Sequence, residues 1–459
     1  MTEEKSNASE DTTGFAWLDG GIVVVLCWIA LAAAFTFLWA GSWFAPGDFR
    51  FPEAMLYHSL SVPLLVLFFM LAGVSFQLPL TSARGTVVLA VSAALLAGVG
   101  SLLDRHTGIS AASVLHILGM FGADLVGIVL ATDLLRTALG RTNQLRTQKA
   151  GFWLLFTSLV AVLVAAPLGH LAGWGLDLGL ESFPGVALFL GHTGMNAETF
   201  QDTLVSSHSH LIVAAVLCGL SALAALRFDY AGRPGWRSIV NRSGLWIAEA
   251  GLVGAAVLYL VSAFTGWEPP TLFASDPNGM PLDDVLLTVV ELGFLALAVG
   301  LSGPVTQKAR FADLEARIRS AVRWNWVLGF LAAVALGIYI EFHEIYYGGG
   351  SPPAPGAASD LAYIRAHLLF SFLFLPIVLA FLLAVGESTR RFRMSPALAG
   401  VFVRVLLTGM FVTFLGELVW FASGGKGVFV AGAAVLVLGL LTGAGMALSG
   451  RFGSTPQGR

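Results

Sequence analysis

Apolar runs of about 20 residues follow one another along almost the whole 459-residue chain, separated by short connectors rich in Arg, Pro and Gly. An uncharged run of that length matches the thickness of a bilayer's hydrocarbon. In lipid it has to be helical, because a lone strand or loop would leave its backbone polar groups unpaired. Charged residues make up 12% of the chain, about half of what a soluble domain carries, and the mean hydropathy is +0.81. The expectation is therefore an all-α integral membrane protein of about twelve spans. They lie near 18–45, 53–77, 84–103, 110–138, 150–176, 203–228, 243–267, 283–305, 322–348, 361–387, 396–423 and 428–450. Together they form one polytopic domain from 18 to 450, with a disordered tail at 1–17 and a second tail at 451–459.

The cations orient the spans. Of the 25 Lys and Arg, all but Arg50, Arg105, Arg365, Lys426 and Arg404 fall in the tails or in the connectors that follow even-numbered spans. The positive-inside rule then puts both termini in the cytoplasm. The unbroken alternation supports the count of twelve, since a missed span would swap the sides midway. Other classes drop out at this point. A net charge of −3 with no basic patch offers nothing to nucleic acid. Cys27 and Cys218 sit singly inside apolar runs, and the absence of CxxC and CxxCH argues against a zinc site of the usual spacing and covalently attached haem.

On this topology all nine histidines fall on the outer side. His58, His116, His208, His210 and His367 lie near the starts of spans that begin outside, and His170 and His343 near the ends of spans that finish outside. His106 and His192 fall in outer connectors and read as exposed loop residues. Neutral imidazole is the commonest metal ligand, and hydrocarbon makes an idle polar side chain expensive. In "LVSSHSHLIV" (204–213) two histidines stand at i and i+2, about 200° apart on a helix, so they face opposite sides and could serve two different centres. Capping of a wet helix start beside Ser206, Ser207 and Ser209 is the plainer reading of the same pair.

Divided into three groups of four, the spans repeat this placement. The second helix of each group carries a histidine near its outer end, in "AMLYHSLSVPLL" (His58), "SSHSHLIVAAVL" (His208, His210) and "YIRAHLLFSFLF" (His367). These stretches resemble subunit I of the haem–copper oxidases, a family that includes the nitric-oxide reductases. That family has twelve spans in three four-helix arcs, with its metal-ligand histidines toward the outer side. "SHSHLIVAAVL" looks like the family's H-x-H stretch and "YHSLSVPLL" like its second-helix haem-ligand region. The chain departs from the pattern in placing H-x-H on the sixth helix rather than the tenth. It also has no adjacent His-His pair, so a copper ion would have to be held without it. The NnrS family of membrane haem–copper proteins linked to nitric-oxide stress is similar in span count, but its H-x-H-E stretch does not occur in the second span.

The resemblance implies one or two b-type haems, with His58, His208, His210 and His367 as iron ligands and Arg365 or Arg50 as propionate partners. His58 could pair with one member of the 208/210 pair and His367 with the other, or His58 could pair with His367. His116 and His343 are further metal candidates. "YIEFHEIYYGGG" (339–350) sets His343 on one face with Tyr339 and Tyr347, and Glu341 and Glu344 on another. Glu341, Glu344, Glu291, Glu417 and Asp124 are proton-path candidates, because an acid inside a span is costly to keep idle. Glu249 and Arg404 fall at one depth and suggest a structural ion pair. The connector 177–200 reads as a short interfacial segment that covers the site.

The function so implied is an electron-transfer or terminal oxidoreductase subunit in a bacterial or archaeal cytoplasmic membrane. Its partners would be quinol, cytochrome c or another redox subunit, with oxygen or nitric oxide as acceptor. A twelve-helix metal or proton-coupled transporter, and a non-catalytic haem or copper protein of the NnrS kind, are the rival readings.

Overall fold

The structure is a computed structural model of the chain. It describes residues 3–39, 51–107, 109–140, 142–179, 184–194, 196–228, 235–265, 271–272, 280–302, 312–336, 367–391, 396–423 and 425–452. The chain is helical nearly throughout these residues, and ten helices are long and apolar enough to cross a membrane. They correspond to the expected spans one to seven and ten to twelve. The eighth is shorter. Its apolar part, Val285–Gly300, opens after two aspartates and stops where the Gly300–Pro304 stretch cannot continue a helix. The ninth is described only as far as Leu336.

In chain order the elements are α1 (Glu3–Ala33), α2 (Phe51–Phe76), α3 (Pro79–Ser82), α4 (Arg84–Thr107), α5 (Ser110–Gly140), α6 (Thr142–Leu178) and α7 (Pro184–Thr193). After them come α8 (Ala197–Arg227), α9 (Trp236–Thr265), a two-residue antiparallel ribbon pairing Thr271–Leu272 with Met280–Pro281, and α10 (Leu282–Gly300). The last are α11 (Ala312–Phe330), α12 (Leu375–Arg391), α13 (Pro396–Ser423) and α14 (Gly427–Phe452). Wider π turns extend α1 (Ala34–Trp39) and α11 (Leu331–Leu336) and precede α12 (Leu368–Phe374). Helix α1 starts at Glu3 rather than at 18, in a stretch that holds no proline to stop it.

The chain divides into two compact units, 1–143 with 301–332 and 352–459, and 144–300 with 333–351. The cut after 143 falls where the first two expected groups of four spans meet, the cut after 300 falls inside the expected eighth span, and the expected ninth span is divided between the units. The first unit holds the first group and, apart from 333–351, the third, and within it α1 packs on α14 and α2 on α12.

In every group the third and fourth helices form the most intimate pair: α4 with α5, α9 with α10, α13 with α14. Small residues make this possible, as is usual where lipid supplies no hydrophobic drive for helices to associate. A Cβ at Gly119 would run into the backbone of Ala97, and one at Gly432 into that of Thr413. Gly244 and Gly293 each lie against the other's carbonyl oxygen. The second helices behave differently. Within their apolar windows α2, α8 and α12 are 83%, 72% and 100% buried, against 33–50% for α4, α5, α9, α13 and α14. The helices expected to carry the ligand histidines are therefore the enclosed ones.

Candidate functional site

In the first unit His58 on α2 meets His116 on α5. Their ring centroids are 5.0 Å apart with planes at 40°, and His116 is buried. Two features hold the pair. The Trp28 indole on α1 donates to the carbonyl of Ser59, next to His58 (3.2 Å). Gly100 on α4 lets the backbone of α5 approach at His116, since a Cβ there would strike the Ala112 carbonyl. His367, directly ahead of the π turn Leu368–Phe374, donates through Nδ1 to Glu417 Oε1 on α13 (3.2 Å). Wide π turns recur at functional positions because they re-aim side chains. Glu417 is fully buried, and its Oε2 has no hydrogen-bond partner among the described residues.

In the second unit the two histidines of SHSH part company. His208 Nδ1 donates to the carbonyl of Ala165 on α6 (2.9 Å), and its ring lies over Gly169, where any side chain would collide with it. His210 turns to α9, with its ring stacked on Tyr259 at 5.9 Å and 18°, while Nδ1 donates to the Ser206 carbonyl (2.9 Å). Each imidazole therefore donates from Nδ1 to a backbone carbonyl, which fixes the orientation of its ring.

Helix α7, inside the connector 177–200, lays Val186, Phe189 and Leu190 on Leu168, Ala172, Phe200, Leu204 and Ala263. It covers the end of this unit within two turns of His208.

The remaining candidates are scattered. Asp124 is part-exposed on α5. His106 is exposed and edge-on to Phe35, and His192 is exposed on α7. Arg50, Arg365, Glu341, His343 and Glu344 lie outside the described residues, so the 339–350 patch and the propionate partners carry no geometry. His58 lies against His116 and His367 against Glu417, and α2 packs on the π turn that follows His367. His208 and His210 belong to the second unit, so a pairing with either would join the two. Glu249 accepts from Thr157 (3.2 Å) within its own unit, while Arg404 is an exposed residue of the other. The ion pair read from their common depth gives way to a hydroxyl on the neighbouring helix.

Buried polar groups that the sequence reading did not single out include Asp133 and Asn325. Asp133 on α5 accepts from the backbone N–H and hydroxyl of Thr81 (2.6 and 2.8 Å), pinning α3 to α5. Asn325 on α11 donates to the Leu375 carbonyl at 3.0 Å. An acid near the end of the mostly apolar fourth span was the available signal for the first.

Among the described residues no three His, Cys, Asp or Glu side chains converge as a metal cage. A metal held by protein groups alone would want such a cage, whereas haem iron takes its equatorial ligands from the macrocycle and asks for one or two imidazoles. No protein family, curated protein or solved structure matches the chain.

Proposed function

We propose that this chain is a multi-pass membrane protein that binds b-type haem and passes electrons, with its histidine cluster on the outer side of a bacterial or archaeal cytoplasmic membrane and both termini inside. The observation that carries this reading is that the most enclosed helix of each four-span group is the one bearing an outer-end histidine. Each of these imidazoles is half-buried on its helix, and a polar ring kept inside a membrane bundle is a candidate for a function.

His58, His208, His210 and His367 are the iron ligands, and His116 stands in reserve beside His58. The haem supplies a reversible one-electron couple. The protein's own part is orientation. Three of the four imidazoles have Nδ1 committed to an acceptor, which leaves Nε2 as the coordinating nitrogen. Glu417 does more than orient, because a carboxylate at Nδ1 makes His367 a stronger donor. Helix α7 keeps water from the end of the second unit, which favours a low-dielectric site. Quinol, cytochrome c or a further redox subunit is the source of electrons, and oxygen or nitric oxide the acceptor where an iron keeps an open position.

The test is a reduced-minus-oxidised spectrum of the purified protein with a pyridine haemochrome assay. Sharp b-type bands are expected, and a colourless protein sinks the reading. Carbon monoxide binding to the reduced form separates an open, catalytic haem from saturated electron carriers of the NnrS kind. A proton-coupled transporter is the second reading. It is favoured by acids inside the second unit, and a colourless protein that moves protons across vesicles would establish it.

A further inference from the structure

Helices α11 and α13, both in the first unit, carry exposed cations that haem ligation leaves unused. Arg404 is exposed inside the apolar window Ala397–Trp420 of α13, about 10 Å along the helix from its start. A guanidinium turned outward at that depth is costly unless it reaches an anion at the membrane surface. Its neighbour is cationic as well. A Cβ at Gly400, one turn before Arg404, would come within 3.3 Å of Nη1 of Arg317 on α11, and Arg317 is exposed. Further along, the exposed Trp324 of α11 meets the exposed Phe411 of α13, with ring centroids 5.3 Å apart. Both contacts advance in the same direction along the two helices, so α11 and α13 run parallel and their outward faces adjoin over this length.

Periodicity extends the seam. Arg317 and Trp324 stand at i and i+7 on α11, and Arg404, Phe411 and Leu415 at i, i+7 and i+11 on α13, so each set follows one side of its helix. Leu415 is exposed beside Phe411. Two arginines therefore mark the end near the helix starts, and an aromatic and aliphatic strip runs on from them. Arg323 adds a third positive charge at the junction, 5.8 Å over the Trp324 ring. Glu315, two residues before Arg317, is turned about 200° away on the helix. No acid pairs with Arg317 or Arg404 among the described residues.

We propose that the seam between α11 and α13 binds an anionic phospholipid, with its phosphate on Arg317 and Arg404 and an acyl chain along Trp324, Phe411 and Leu415. Guanidinium forks match phosphate oxygens in charge and geometry. The order of charge and then apolar surface along the helix axes is the order of headgroup and chain in a bilayer leaflet. A free phosphate would use the charged end alone, and a zwitterionic lipid brings its own cation to offset the phosphate.

Tryptophan quenching in the full-length protein in detergent micelles tests this, with phosphatidylglycerol or phosphatidylcholine brominated on the acyl chains as the probes. Saturable quenching is expected from phosphatidylglycerol, beyond what phosphatidylcholine gives at the same concentration, and W324F should lose the saturable part. R317Q and R404Q should each weaken the apparent affinity about fivefold, the usual worth of one basic residue beside anionic lipid. R317K/R404K, which keeps the charge, should keep the preference. R136Q, at an exposed arginine on α5, should change nothing. Should R317Q fail to fold, R404Q carries the test, because that side chain faces outward. Equal quenching by the two lipids would overturn the proposal, and so would a preference that R404Q leaves unmoved or that R136Q lowers as much. Full displacement by inorganic phosphate would overturn it in favour of a free-anion site. Quenching that appears only when a dimer is diluted apart would put a second copy of the chain on this face instead. The result is the same with or without haem, so its failure is distinct from failure of the haem reading.

Discussion

His367 reaches from the start of a π turn to Glu417 on α13, Nδ1 to Oε1 at 3.2 Å, and the carboxylate it meets is 0% exposed while the imidazole keeps 13%. The pair sets one titratable group inside the first unit and leaves the other at its edge. A buried carboxylate with its second oxygen unpartnered is costly unless it serves the histidine.

If His367 ligates iron, Glu417→Gln keeps the shape and removes the charge that strengthens the ligand. A weaker donor favours ferrous over ferric iron, so the midpoint potential of that haem should rise. Outer-shell substitutions typically change metal affinity 10–100-fold, and at one electron this corresponds to roughly 60–120 mV. Redox titration monitored at the haem bands reads the shift. An unchanged potential in a well-folded E417Q protein would remove His367 from the ligand set.

Asp133→Ala should destabilise the first unit by about 1–3 kcal/mol, since it strips a charged acceptor from the Thr81 N–H and hydroxyl in a buried place. Asp133→Asn, which can still accept, should cost less. Thermal unfolding in detergent orders the two variants, and equal losses would mean that the carboxylate's charge adds nothing.

Gly119→Ala and Gly140→Ala make a matched pair on α5. At Gly119 a methyl group would enter the backbone of Ala97 and force α4 and α5 apart, an overpacking cost of about 1–3 kcal/mol or more. At Gly140 nothing lies within reach, so the same change should be neutral. Melting curves that rank the two the other way would contradict the close packing of this hairpin.

The apolar runs declared most of these helices in advance, because a bilayer forces one solution on any such run. The unit boundary after 143 falls at the expected junction of the first two groups of four, whereas 333–351, part of the expected ninth span, belongs with the second unit. The apolar helix of the eighth expected span is described over Val285–Gly300. The opposed faces of His208 and His210 follow from helical periodicity, and the structure carries them to α6 and α9. The contact of His58 with His116 could not be foreseen, because it depends on how α2 and α5 pack side by side. Likewise depth suggested Arg404 for Glu249, but depth says nothing about azimuth, and the neighbouring face belongs to Thr157.

Gly169→Ala gives the sharpest test of the second unit. The new methyl group would occupy the space of the His208 ring, which must then swing away from α6 and lose its bond to the Ala165 carbonyl. A small side chain on a helix is otherwise favourable, by roughly 0.5–1 kcal/mol over glycine, so the fold should be close to neutral in stability. If His208 is an iron ligand, G169A should diminish one haem's bands to nearly the extent that H208A does, at unchanged melting temperature. H210A should act separately, because that ring is held by Ser206 and Tyr259 on the other side of α8. His192 is exposed on α7, and H192A should leave the spectrum as it is. Full haem bands in G169A, with the protein folded, would show that the ring over Gly169 is a packing element and that the second unit's iron ligand, if it has one, is His210.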